Sequence, residues 1–314
     1  MEDFICYYNG EYMKESEVKI SLWDAALTEG LVYEIQRTYN HVPFFWEEHT
    51  ARLFCSLRHL HIDLDLTPEE VHNISLEVFK RNEGYLGPGD DFTVALRVSR
   101  GGRARHGGSP IAHPTVLISI GSRLAQTMYE RLAKVYQQGA HLVVANTRQI
   151  PPQCLDTKTK NSNKFCNSLA NFEARMVDPE AAGLMLDIYG RVAEGISFNC
   201  FMVRNGKLLT PRVDNILGGI TRATVLRLAK DLGIESTETD LYVYDLYSAD
   251  EIFTTATQAT ITPVAKFNER LLSKPIPGPV TQQLFTAFSK LVGVDIVQRV
   301  ISYVQTKEKT ARKS

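Results

Sequence analysis

Three lysines, Lys158, Lys160 and Lys164, stand in the stretch LDTKTKNSNKFCNSLANFEA (155–174), just ahead of a helix-like pattern. A lysine amine is either a solvated charge, its ordinary fate, or a nucleophile that can form an imine with a carbonyl and then carry a proton. Four other stretches could do chemistry. RVAEGISFNCF places Glu194 inside an apolar strand-like run, directly before Gly195, where a half-buried carboxylate needs a cation or a donor. In ILGGITRATVLRLAKDLG, Gly218-Gly219 lets the backbone approach a ligand, and Thr221 stands where a helix begins. Free N–H groups and the positive end of that helix would seat an anion. EIFTTATQATITPV crowds Thr254, Thr255 and Thr257 at a strand end, and EEHTARL puts Arg52 three residues after His49.

Taken alone, each stretch has an ordinary reading. The glycine pair is a turn before a common helix start, without the lysine of a P-loop and without GxGxxG spacing. Glu194 fits a structural ion pair, the threonines suit a strand, and Arg52 suits a solvent-facing salt bridge. No histidines pair at helical metal spacing; His59 and His61 fall on opposite sides of a helix end. The five cysteines (Cys6, Cys55, Cys154, Cys166, Cys200) form no CxxC pair, so no metal site is expected.

The elements that must carry these residues are legible as pattern. ICYYNGEYM is a hairpin turning at Asn9-Gly10, and LVYEIQRTYNHVPFF alternates around a turn at Asn40-His41. WEEHTARLFCSLRHLHI is an amphipathic helix with Leu53, Leu57 and Leu60 on one face, and TPEEVHNISLEVFKRN begins with a threonine cap followed by proline. DDFTVALRVSRG and PTVLISIGSRL read as strands. A small N-terminal domain is expected over 1–122, a linker over 123–134 and a larger domain over 135–314. The larger block should hold strand HLVVANTRQ, a helix over about 163–177, hairpins LMLDIYGRVAEG and FMVRNGKLLTP, helix RATVLRLAKDLG, strands near LYVYDLY and at EIFTTAT, and a helix after PGPV. The basic tail from about 305 should fray. Strands and helices in runs, without regular βαβ alternation, predict the α+β class.

Composition narrows the functions. A formal net charge of −1 over 314 residues supplies no field for gathering nucleic acid or anionic membrane. No apolar run approaches the ~18 residues of a spanning helix. The opening MEDFICYYNGEYMKE does not read as a secretory leader, and unpaired cysteines fit a cytoplasmic protein.

The order of the motifs carries more than any one of them. HxxRL, a lysine before a helix, LDxxGxVxEGxxxNxF, LTP, LGGITR and ADEIFTTATQATITPV, in that order, resemble the class IV aminotransferases, the fold-type IV pyridoxal-phosphate enzymes. The resemblance implies a small α/β domain and a larger domain with a mixed, barrel-like sheet. It implies that Lys160, in KNSN before FEA (172–174), holds the aldehyde of pyridoxal 5'-phosphate as an imine and moves a proton. Glu194 would keep the pyridine nitrogen protonated. Arg52, the N–H groups of Ile220 and Thr221, and the Thr257 hydroxyl would hold the phosphate, and Leu217 would pack on the ring. Lys164 stands where many members carry a tyrosine beside the cofactor, and Lys158 reads as surface charge. A homodimer is expected by the same resemblance.

Substrate contacts follow less closely. Tyr33 in VYE and Arg103, Arg105 and His106 in GGRARHGGS resemble the carboxylate-binding parts of D-amino-acid aminotransferases, offset by about one residue in the loop. The resulting order of expectation is transfer between a D-amino acid and a 2-oxo acid first, branched-chain L-amino acids second and R-selective amine transamination third. An aminodeoxychorismate lyase would use the same lysine and cofactor contacts.

Overall fold

A computed structural model describes residues 2–87, 89–102 and 113–311. It divides into two compact units, Met1–Thr127 with Thr159–Asn163, and Met128–Lys158 with Lys164–Ser314. The segment bearing Lys160 therefore belongs to the first unit although its sequence neighbours belong to the second.

In the first unit, β1 (Ile5–Tyr8) and β2 (Glu11–Lys14) form the hairpin expected at Asn9-Gly10, both residues having positive φ. β3 (Val32–Tyr39) and β4 (Val42–Phe44) turn at Asn40-His41, again with positive φ. Two helices follow, α1 (Trp46–His59) and α2 (Pro68–Asn82). Thr67 caps α2 and Glu70 returns the bond to the Thr67 N–H, a reciprocal cap that satisfies two orphan donors. β5 (Phe92–Ser99) and β6 (Thr115–Arg123) complete a six-stranded sheet of order β2-β1-β6-β5-β3-β4. Leu53 and Leu57 of α1 and Val71 and Val78 of α2 share one core with Val32, Leu96 and Ile118 from the sheet. The segment expected as a linker is helical, in α3 (Leu124–Thr127) and then α4 (Tyr129–Gln138).

The second unit continues with β7 (Ala140–Val144), α5 (Phe165–Val177), β8 (Ala182–Leu186), β9 (Val192–Gly195), β10 (Asn199–Arg204) and β11 (Lys207–Pro211). After α6 (Ile220–Asp231) come β12 (Ser236–Thr239), α7 (Val243–Tyr247), β13 (Glu251–Ala256), β14 (Thr260–Phe267) and β15 (Arg270–Leu271). α8 (Pro279–Val292) and α9 (Ile296–Ala311) end the chain. The sheet runs β12-β11-β10-β13-β14-β7-β8-β9, and β9 also pairs with β10, so six strands close into a ring. Its pairs are mixed: β7 lies parallel to β8 and β14, the rest of the ring antiparallel. A ring has no free edge strand, and the barrel-like core implied by the resemblance is present.

Two expectations change. LYVYDLY is not a strand: Asp245 accepts from the Tyr242 N–H at 2.8 Å and caps a short helix, and the strand lies just before it at Ser236–Thr239. The tail expected to fray is helical through Ala311, because Tyr303 meets Tyr129 edge-on at 5.4 Å and Lys307 pairs with Glu130 at 2.5 Å. β13 is tied to α8 by Glu251, whose carboxylate accepts from Val280 N–H, Thr281 N–H and the Thr281 hydroxyl at 2.7–2.9 Å. Replacing Glu251 with alanine strands these donors and should cost about 2 kcal/mol, read as a lower urea midpoint at unchanged m-value.

Candidate functional site

In the first unit the reactive candidates gather where α1 crosses β3. His49, Arg52 and Ser56 lie three and four residues apart and so share one face of α1. Glu34 comes from β3, in the same row as Val32 and Gln36, with its side chain fully enclosed. Arg52 grips it side-on, Nε to Oε1 at 2.6 Å and Nη2 to Oε2 at 2.8 Å, while His49 Nδ1 meets Oε2 at 2.8 Å. Burial pushes the Glu34 carboxyl up, but the charge and hydrogen bonds of Arg52 and the bond from His49 outweigh it and hold the group at about 2. Burial also lowers the His49 pKa, only partly opposed by Glu34, which keeps the ring neutral at pH 7 with Nδ1–H donating.

Lys160 lies beside this cluster as part of a short strand-like edge. Its C=O accepts from the Tyr33 N–H at 3.1 Å, and its N–H donates to the Ser56 hydroxyl at 3.2 Å. Asn161 bridges antiparallel to Val32, and Ser162 bonds Leu31 through both N–H and hydroxyl. Gly30, at φ +84°, is needed here twice over: for its backbone conformation and because a Cβ would collide with Asn163. The Lys160 Nζ sits 4.4 Å from the centroid of the Tyr33 ring.

The second unit centres on Glu194, which is 5% exposed. Its oxygens accept from Gln149 Nε2 at 3.1 Å, Asn199 Nδ2 at 3.1 Å and the Leu217 N–H at 2.9 Å. Asn199 also donates to the Leu217 carbonyl at 2.9 Å, so one amide fixes both the carboxylate and the loop leading to α6. Gly219 passes so close to Asn199 that a Cβ would overlap the amide oxygen. No side chain caps α6, whose first N–H groups belong to Ile220 and Thr221. Glu194, Asn199 and Thr255 are direct neighbours across β9, β10 and β13, and the buried Thr255 Oγ1 has no hydrogen-bond partner. Thr257 stands in the tight turn joining β13 to β14.

The structure thus brings Tyr33, Arg52 and Lys160 together in one unit, and Glu194, Leu217, Ile220, Thr221 and Thr257 in the other. Lys158 is 58% exposed and pairs with Asp156 at 3.5 Å. Lys164 is the N-cap residue of α5, and its side chain does not cap that helix. Arg103, Arg105 and His106 lie outside the described residues. Among the described residues no three histidine, cysteine, aspartate or glutamate side chains are grouped to hold a metal, and no helix is long and apolar enough to cross a membrane. Sequence reasoning missed Glu34, Gln149 and the role of Asn199; only Asn199 carried a signal, as the N of the EG…N-F motif.

A family model described as amino-transferase class IV matches residues 31–267. This chain belongs to the class IV aminotransferases. A putative branched-chain-amino-acid aminotransferase of Methanocaldococcus jannaschii is 34% identical over 91% of this chain and 95% of its own length. A probable branched-chain-amino-acid aminotransferase of Thermotoga maritima is 30% identical over 92% and 96%. The solved branched-chain amino acid aminotransferase of Escherichia coli superposes with a TM-score of 0.81, at 28% identity over 93% of this chain and 95% of that one. Another solved branched-chain amino acid aminotransferase, from T.th., is described with pyridoxamine 5'-phosphate, at TM-score 0.81 and 29% identity over the same shares.

Aminotransferases of this class use pyridoxal phosphate, and this chain is a pyridoxal-phosphate-dependent transaminase. The second unit fits that cofactor: an uncapped helix start and an orphaned threonine hydroxyl suit a phosphate, and a buried carboxylate suits a protonated ring nitrogen. The Glu34 cluster has its own signature in acid. Its folded-state pKa is depressed from 4.5 to about 2, so its stabilisation is complete above about pH 4.5 and is lost as pH falls toward 2. Glu34→Gln should flatten the fall in unfolding free energy between those values, measured by urea titration across the acid range.

Proposed function

We propose that this chain transfers the amino group of a branched-chain L-amino acid to a 2-oxo acid, with Lys160 as the catalytic amine. The observation that carries the cofactor chemistry is Glu194, a buried carboxylate held by Gln149, Asn199 and Leu217 ahead of an uncapped helix. The names of the relatives support the branched-chain assignment over the D-amino acid that Tyr33 and the 101–109 loop favour.

Bound pyridoxal phosphate supplies an electron sink for the electrons released when the substrate Cα loses its proton. Glu194 holds a proton on the ring nitrogen, and Asn199 and Gln149 keep that carboxylate aimed. Ile220 and Thr221 N–H groups, the Thr257 hydroxyl and Arg52 bind the phosphate, and Leu217 packs on the ring. Lys160 would take the proton from the substrate Cα and hold it at its Nζ. Its backbone stays fixed by Tyr33 and Ser56 while the four-carbon stem moves. Tyr33 borders the substrate beside that amine. The free thiols fit a reducing, cytoplasmic setting.

The test is a half-reaction panel on the reconstituted enzyme with L-leucine, D-alanine, D-glutamate and R-1-phenylethylamine. L-Leucine should bleach the visible cofactor band fastest. Lys160→Ala should bind cofactor without that conversion, and Glu194→Gln should keep the band but slow bleaching by roughly two orders of magnitude. Faster conversion by D-alanine would restore the D-amino-acid assignment, and no conversion by any donor would overturn transamination.

A homodimer is part of the same proposal. Phe165, Leu169, Phe172 and Met176 recur along one side of α5 at 92, 53, 62 and 76% exposure, an apolar stripe that a single chain leaves in water. Phe172→Asp with Met176→Asp should convert a dimer to a monomer in sedimentation equilibrium. A wild-type chain that sediments as a monomer would refute the dimer.

A further inference from the structure

Glu34 is fully buried and spends both carboxylate oxygens on side chains of α1, yet the reaction as proposed gives it no part. Its partnership with Arg52 runs against a simple electrostatic design. If Arg52 served only as positive charge for an anion, an enclosed carboxylate at 2.6 and 2.8 Å would be a defect, because it cancels most of that charge. His49, neutral and donating through Nδ1, does not restore it. What the arrangement provides is direction. Bonds to Nε and Nη2 fix both the plane and the rotation of a guanidinium that would otherwise sample many rotamers. The carboxylate is itself held: Glu34 sits in β3 opposite Leu96 of β5, its side chain is fully enclosed, and His49 occupies the oxygen that Arg52 Nη2 also uses.

We propose that Glu34 is a positioning residue for Arg52, presenting its guanidinium to the cofactor phosphate in one preset orientation, with His49 holding the carboxylate in place. This inference rests on the assignment of Arg52 to the phosphate. The design exchanges net charge for geometry, since a bidentate fork binds phosphate by alignment as well as by attraction.

The test uses the full-length, cofactor-stripped protein as wild type, Arg52→Ala, Glu34→Gln and the double variant. Each is titrated with pyridoxal 5'-phosphate and with pyridoxal, which lacks the phosphate; the rise in unfolding temperature caused by inorganic phosphate is a second readout. Glu34→Gln should weaken pyridoxal 5'-phosphate by roughly ten- to hundredfold, the scale of one charge-assisted hydrogen bond. It should leave pyridoxal unchanged and add little to Arg52→Ala in the double variant. Equal losses for both ligands would make Glu34 merely structural, and tighter phosphate binding would make it a damper of charge; either result overturns the proposal. If Arg52→Ala binds pyridoxal 5'-phosphate normally, the phosphate role of Arg52 fails, and the inference with it. If Arg52→Ala weakens binding while Glu34→Gln does not, only the inference fails. Should Glu34→Gln not fold, Glu34→Asp keeps the charge at shorter reach; a selective loss for the phosphorylated ligand supports positioning, and unchanged affinity overturns it.

Discussion

The second unit depends on one buried negative charge. Glu194 cannot sit at 5% exposure unless donors come to it, and those donors arrive from separate parts of the chain. Gln149 comes from the segment after β7, Asn199 from the start of β10, and Leu217 from the loop before α6. Satisfying the carboxylate therefore fixes the join that closes the ring of strands and the approach to α6. Gly219 follows from the same constraint, because the amide that serves both Glu194 and Leu217 leaves no space there for a Cβ.

Glu34 is buried as deeply but is satisfied differently. Its environment includes a full cation, Arg52, which overcomes the desolvation of the site and drives the pKa down. Gln149, Asn199 and the Leu217 N–H, which donate to Glu194, are by contrast neutral groups. A carboxylate bonded to an internal cation is committed to structure and orientation.

Much of the frame was legible because its signals are local. Asn-Gly at 9–10 and 205–206 forces positive φ at hairpin turns, and Thr67-Pro68 with Glu70 starts a helix whatever packs around it. Glu34 was illegible for a physical reason. In VYEIQRTY, alternation assigns Glu34 and Gln36 to solvent, but both are fully buried under α1, where Arg52, His49, Trp46 and Thr50 provide partners. A polar row facing inward imitates a solvated face, and only the helix laid across it tells them apart. LYVYDLY misled in the opposite direction: its aromatic content favours a strand, yet one carboxylate, Asp245, bonding back to Tyr242 was enough to start a helix.

The three lysines differ in position rather than in residue type. Lys158 is held by Asp156 in solvent, where an ion pair costs little to break and fixes little. Lys164 begins α5, and a cation there opposes the helix dipole without supplying a cap. Lys160 alone has its backbone paired on both sides, to Tyr33 and Ser56, in a segment whose neighbours bond Leu31 and Val32. An amine that carries a proton, as proposed for Lys160, needs a rigid pivot and a flexible stem. The strand-like edge supplies the pivot, the lysine side chain supplies the stem, and Ser56 lies on the same face of α1 as Arg52 and His49. One helix face thereby holds the Lys160 backbone through Ser56 and, one turn earlier, carries the guanidinium bound to Glu34.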